Sequence, residues 1–226
     1  MFIPSTVGRG DNLQTLRSRF MQMGQRYRKQ ALRMGCALVS LVDMRDAYTA
    51  SHSSRVAAYA RATALRLGLQ AMELDEIVMA ALLHDIGQIG VPNHVLLKKA
   101  KLGPGESVQV EKHTELGWLA LKNIDDFKSI GSIVLHHHER IDGTGYLNGL
   151  KGDEIPLGSR IIAVADSYDA LTTNRPYRLA QTKQQASEEL RRCAASQFDS
   201  RVLDAFLDAI KPKRFYTPNI SFDRPH

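Results

Sequence analysis

Three apolar helical runs in this chain close on side chains that a protein core cannot hold alone. Ala80-Ala81-Leu82-Leu83 runs into His84 and Asp85, and Ile133-Val134-Leu135 runs into His136, His137 and His138. Ile161-Ile162-Ala163-Val164-Ala165 runs into Asp166. Burying a charged group is costly unless it is paired or bound to a metal ion. His113, within a helical stretch, and His52, at the start of another, join the set. Taken singly, each reads as a satisfied core histidine or a helix cap. Taken together, they point to a built site. The histidine triple sits mid-chain behind an apolar run, which argues against an affinity tag.

The rest of the pattern is helical. Val56, Tyr59, Ala60, Thr63 and Leu67 mark one helix, stopped by Gly68. Leu74, Ile77, Val78, Ala81 and Leu82 mark the next, stopped by Gly87, Gly90 and Pro92. Helices are expected over Glu106 to Ile124 and Lys128 to Glu139, then a loop from Asp142 to Gly158 with five glycines and a proline. Ser159 to Thr172 reads as a buried helix. Thr182 and Gln185 form a capping box for a helix to about Ala195. Asp199 caps a last helix, Val202 to Ile210. No alternating apolar run suggests a sheet, so the fold class is all-α.

At the N-terminus, Leu13, Phe20, Tyr27, Met34 and Leu41 recur at a seven-residue step, with Leu16, Met23, Gln30 and Ala37 between them. This is an a/d heptad, weakened by Gly24 and Gly35. The stripe has two candidate partners: a second copy of the chain, giving a homodimer, or the chain's own domain. The organisation expected is a 1–42 arm and signalling or dimerisation helix, a 43–211 helical main domain and a 212–226 tail.

The 226 residues suffice to bury a core without disulfides. Cys36 and Cys193 stand far apart and read as reduced thiols of a cytoplasmic protein. No apolar run approaches the ~18–20 residues that span a bilayer, and no secretory leader is legible, so no membrane partner is expected. The net charge of +6 is concentrated in part between Asp11 and Asp43, where six basic residues meet no acid. No DNA-binding motif accompanies that charge, so it reads as a solvated helix face.

His84-Asp85-Ile86-Gly87 resembles the HD signature of the HD phosphohydrolase superfamily. His137-His138-Glu139-Arg140-Ile141-Asp142-Gly143-Thr144-Gly145-Tyr146 resembles the HHExxDGxGY element of the HD-GYP family, and the likeness continues through Arg160 to Asp166 and Arg175-Pro176-Tyr177-Arg178. The resemblance implies an HD-superfamily helical bundle with an HD-GYP C-terminal extension behind the long N-terminal helix. It implies a cyclic di-GMP phosphodiesterase that uses a metal-bridging hydroxide to make linear pGpG, and onward GMP. It also implies two divalent metals: one held by His52, His84 and Asp166, a second by His113, His137 and His138, with Asp85 bridging. Imidazole and carboxylate donors without thiolate suit iron or manganese. Some members carry a third metal through a Glu four residues before the first ligand histidine. Here that position is Tyr48, and two metals are expected. By the same resemblance Arg175 and Arg178 meet substrate phosphates, Tyr146 lines the pocket, and Glu139 and Asp142 orient ligands and loop.

Two positions depart from the family. Gln88 replaces a lysine near the metals and scissile phosphate, and a neutral amide brings no charge to the catalytic site. Leu147 replaces the proline of GYP, which loosens a loop implicated in docking GGDEF cyclase domains. Gln88 gives weight to a second reading: a degenerate module that binds cyclic di-GMP or docks a GGDEF partner with little turnover. A third reading is hydrolysis of another nucleotide, such as a hybrid cyclic dinucleotide.

Overall fold

The computed structural model describes residues 51–98, 100–124, 127–174 and 178–211, together with residues 30, 33, 34 and 37. Among the described residues the chain is helical and holds no strand; Ala194 and Phe198 meet in an isolated bridge. The helices are α1 (His52–Arg66), α2 (Ala71–Leu83), α3 (Asn93–Leu96), α4 (Pro104–Glu111), α5 (His113–Leu121), α6 (Lys128–Leu135), α7 (Leu157–Thr172), α8 (Lys183–Arg192) and α9 (Ser200–Ala209). Tight 3-10 turns follow α2, at Ile86–Gly90, and precede α7, at Gly152–Glu154. None of these helices is long and apolar enough to cross a membrane.

The expected caps form as read. Thr182 accepts from the Gln185 amide at 3.2 Å while the Gln185 side chain takes the Thr182 amide at 3.0 Å. Asp199 accepts from the amides of Arg201 and Val202 at 2.8 and 3.2 Å. α1 packs against α2, α7 and α9, and α2 against α6. α1 and α2 bury Ala57, Ala60, Ala64, Ala80 and Ala81, small residues that let backbones approach closely. Tyr59, Tyr168 and Phe206 tie α1, α7 and α9 together, with ring centroids 5.1 to 5.9 Å apart in edge-on geometry. Each fully buried Val, Leu, Ile, Met or Phe side chain in such a core is worth about 1.5–3 kcal/mol.

Three expected boundaries are corrected. The helix read as Glu106–Ile124 breaks at Lys112, so His113 opens α5 rather than lying mid-helix. The His113 ring takes the Val110 carbonyl and the Thr114 hydroxyl takes that of Glu111, acceptors the continuing helix would otherwise use. The helix read as Lys128–Glu139 ends at Leu135, where the rings of His136 and His137 take the carbonyls of Ser132 and Val134. α8 stops at Arg192, because the amides of Gln197 and Phe198 fold back onto the Cys193 carbonyl.

Of the N-terminal heptad, Gln30, Met34 and Ala37 are described; they are helical and exposed. The other heptad positions, with Cys36 and Tyr48, lie outside the described residues.

The turn after α2 is fixed by a close backbone approach. A Cβ on Gly87 would stand 1.9 Å from the His113 carbonyl oxygen and 2.5 Å from the Gly117 nitrogen. Only glycine lets the segment carrying His84 and Asp85 lie directly on α5. Gly87→Ala is expected to cost about 1–3 kcal/mol. A lowered thermal midpoint and weakened metal binding would report it, because His113 must move away from Asp85.

Candidate metal centre

The cluster is assembled from helix ends. The last carbonyls of an α-helix lack partners within the helix, and three of the expected ligand histidines use them. Nδ1–H of His84 donates to the Ala81 carbonyl at 2.8 Å, that of His113 to Val110 at 2.7 Å, and that of His137 to Val134 at 2.7 Å. A carbonyl can only accept, so each Nδ1 carries its proton and each Nε2 turns inward, where the neutral ring offers a lone pair.

Asp85 lies between the groups. Its Oδ2 is 3.4 Å from His84 Nε2 and 3.9 Å from His52 Nε2, whereas its Oδ1 is 3.4 Å from His113 Nε2. His52 Nε2 also lies 3.3 Å from Asp166 Oδ1. The Nε2 atoms of His113 and His137 are 3.5 Å apart, and the His137 and His138 rings are 4.1 Å apart. Ligand atoms of His52, His84 and Asp85 fall within 4.8 Å of one another, as do those of His113, His137 and His138. Inward lone pairs and carboxylate oxygens, buried and without thiolate, fit divalent metal ions. His136 turns away to the Ser132 carbonyl.

The two sides have opposite electrostatics. Burial disfavours the His52 imidazolium, yet hydrogen bonds with Asp166 and Asp169 outweigh it and hold its pKa at about 10. Burial likewise opposes the charge on His84, and Asp85 raises it. Asp85 and Asp166 are ionised well below the usual carboxylate range despite burial, chiefly through His84 and His52 respectively. Burial pushes His137 far down, helped by its neighbour His138. His138 itself is held at about 4, mainly by burial.

Of the remaining expected residues, Tyr146 lies against the cluster. Tyr146 stands over His138 with ring centroids 5.0 Å apart, and burial pushes its phenol upward. Gly145 permits this, since a Cβ there would lie 2.6 Å from the His138 carbonyl oxygen. Buried Glu139 accepts from the Asn148 amide at 2.7 Å, and Asp142 accepts from Thr144 and Arg140, so both hold the loop. Gln88 is half-buried one turn beyond Asp85, its amide on the Asp85 carbonyl at 2.9 Å. Arg178 is exposed, with its guanidinium donating to the Ala170 carbonyl one turn past Asp166. Arg175 lies outside the described residues. A cavity of about 180 Å³ opens over His137, His138 and Asp166, walled by Tyr146, Arg140 and Gln197.

Sequence reasoning missed Asp169 and Arg55. His52 Nδ1–H donates to Asp169 at 2.7 Å, and Arg55 grips the same carboxylate at 2.6 and 2.9 Å. The available signal was two three-residue spacings, His52/Arg55 and Asp166/Asp169, each placing both residues on one helix face.

A model of the HD domain family matches residues 36–202. The chain belongs to that family. A Xanthomonas campestris relative of the HD domain family, named cyclic di-GMP phosphodiesterase response regulator RpfG, is 41% identical over 172 residues, covering 75% of this chain and 46% of its own. A Vibrio cholerae relative named 3'3'-cGAMP-specific phosphodiesterase 3 is 43% identical over 144 residues, covering 64% of this chain and 31% of its own. The fold is shared with Bd1817, an HDG"Y"P protein from Bdellovibrio bacteriovorus. Its TM-score is 0.59 at 22% identity, over 71% of this chain and 52% of the other. The chain spans less than half the length of the curated relatives it matches.

In the metal-free protein His52 keeps its proton until pH passes about 10, so a metal ion taking Nε2 near neutrality must displace it. Metal affinity is therefore expected to climb between pH 6.5 and 10, by up to about tenfold per pH unit for one displaced proton. The same raised value stabilises the metal-free fold fully below pH 6.5, and this contribution is lost as pH rises through about 10. Mn²⁺ titrations of chelator-stripped protein, in buffers of different ionisation heat, read both the affinity and the released proton. An affinity that ignores pH is the contrary result.

Proposed function

We propose that this chain is a metal-dependent phosphodiesterase that hydrolyses cyclic di-GMP to linear pGpG, and onward to GMP. The observation that carries this reading is the division of Asp85: one carboxylate oxygen faces His52 and His84, the other faces His113. That is the geometry required of a carboxylate shared between two cations. His52, His84 and Asp166 then hold one ion, and His113, His137 and His138 the other. Iron and manganese suit the donor set. Bound there, two such ions would supply Lewis acidity at a phosphodiester oxygen and would lower the pKa of a water, favouring hydroxide as the nucleophile toward phosphorus.

The protein's own groups do the rest. Neutral His137 and His138 are ready donors near pH 7. Arg175 and Arg178 meet the phosphates as charge-assisted hydrogen-bond donors, worth about 1.5–3 kcal/mol each. Tyr146 lines the substrate cavity. Glu139 and Asp142 keep its loop in place, and Gln88 offers one neutral hydrogen bond where a lysine would offer charge. Residues 1–42 form a dimerisation and signalling arm ahead of the 43–211 catalytic domain, and 212–226 a tail; the exposure of Gln30, Met34 and Ala37 supports a second copy as the heptad's partner. The loop at Leu147, 39% exposed, is the surface for a GGDEF partner.

The binding-only reading rests on Gln88, and the full set of donors opposes it. A hybrid substrate is favoured by the relative named for 3'3'-cGAMP. Product analysis after incubation with cyclic di-GMP and with 3'3'-cGAMP separates these readings. Faster loss of cyclic di-GMP supports the proposal; tight binding of both without products overturns it.

Asp85→Ala is expected to abolish activity and to lower metal content by elemental analysis; a variant that keeps two ions per chain contradicts the bridge. Gln88→Lys is expected to raise kcat, by up to about 100-fold, with a smaller change in KM, because only interactions stronger in the transition state change the chemical step. Single-turnover rates at matched metal content measure this, and equal rates would mean that another group supplies the charge.

A further inference from the structure

The two donor groups differ in what stands behind their imidazoles. His84, His113 and His137 each follow the helical residues whose carbonyls they use. His52 opens α1 instead. Its Nδ1 is directed to Asp169 Oδ2 at 2.7 Å. Asp169 is 2% exposed and sits one turn beyond Asp166 on α7. Arg55, one turn beyond His52 on α1, closes the arrangement by donating from Nε to Oδ1 at 2.6 Å and from Nη2 to Oδ2 at 2.9 Å, and reaches Thr173 at 3.4 Å.

The forked grip fixes both carboxylate oxygens, so Oδ2 is held toward the imidazole. An anionic partner makes an imidazole a stronger donor than a peptide carbonyl does. Charge follows the same division, and the carboxylates that favour a proton on His52 favour a doubly charged cation there more strongly still. Asp85 Oδ2, Asp166 and Asp169 all gather around His52, whereas His113 meets Asp85 Oδ1 at 3.4 Å.

We propose that Asp169, held by Arg55, makes the position formed by His52, His84 and Asp166 the tighter of two unequal metal positions, the one that fills first. This rests on the two-metal reading above. Asp169 and Arg55 act through His52 and are positioning residues.

The test is titration of the full chain, stripped by chelator, with Mn²⁺ alone against a competing fluorescent chelator. The natural chain should bind two ions in separate steps. Asp169→Asn should weaken the tighter step by about 10–100-fold and leave the weaker step in place. His113→Ala should remove the weaker step and spare the tighter one. Arg55→Lys, at a partly exposed position, keeps the charge without the fork and should weaken the tighter step alone, which keeps the inference testable if Asp169→Asn does not fold. Two equal steps in the natural chain, or variants of Asp169 or Arg55 that shift both steps alike, overturn the inference while sparing the two-metal reading. A natural chain that binds no Mn²⁺ overturns both.

Discussion

Three of the imidazoles at the centre of this molecule each depend on a hydrogen bond to a carbonyl three residues earlier. The pair recurs as Ala81–His84, Val110–His113 and Val134–His137. Each bond uses an acceptor that a helix end leaves without a partner, fixes which ring nitrogen keeps the proton, and aims the other inward. The helix ends at α2 and α6, and the break between α4 and α5, are therefore part of the site. Each ring is oriented by a carbonyl of the helix that precedes it, and packing brings the helix ends together. Close approach of the Ile86–Gly90 turn to α5, through Gly87, is one of the contacts that does so.

Much of this was legible in the sequence, and the reason is energetic. Histidines and aspartates placed directly behind apolar runs are costly in a core, so His84, Asp85, His137, His138 and Asp166 stood out without a structure. Thr182 and Asp199 were legible because capping is a local interaction. The break at Lys112 was not, because it depends on where the His113 ring points, and periodicity does not encode ring direction. Asp169 was hidden for another reason. An aspartate on an otherwise apolar helix, one turn past a candidate ligand, looks like solvated surface until α1 is laid against α7 and Arg55 meets it.

The helix that carries Asp166 is anchored at both ends. Near its start, Arg160 reaches Asp153 at 2.6 Å and Asp199 at 2.8 Å. The same Asp199 caps α9, so its two oxygens join the first turn of α9 to the first turn of α7. Near its other end, Asp169 is gripped by Arg55 from α1. Asp166 lies between these fixed points, and its position relative to His52 is set by contacts on either side of it. This is why a single carboxylate can sit 3.3 Å from an imidazole of another helix without a local turn to guide it.

The cavity over the cluster has a floor and a wall of separate origin. His137, His138 and Asp166 form the floor. Arg140, Thr144 and Gln197 belong to the wall, and they come from the glycine-rich loop and the turn after α8. The two segments are sewn together by the amides of Ile141 and Asp142 on the carbonyls of Gln197 and Ser196. Backbone hydrogen bonds do not depend on which side chains the segments carry. A lineage can therefore exchange wall residues, and with them the ligand the cavity admits, while the floor keeps its donors. The lining of the cavity and the cluster beneath it are in this way assigned to different stretches of one chain.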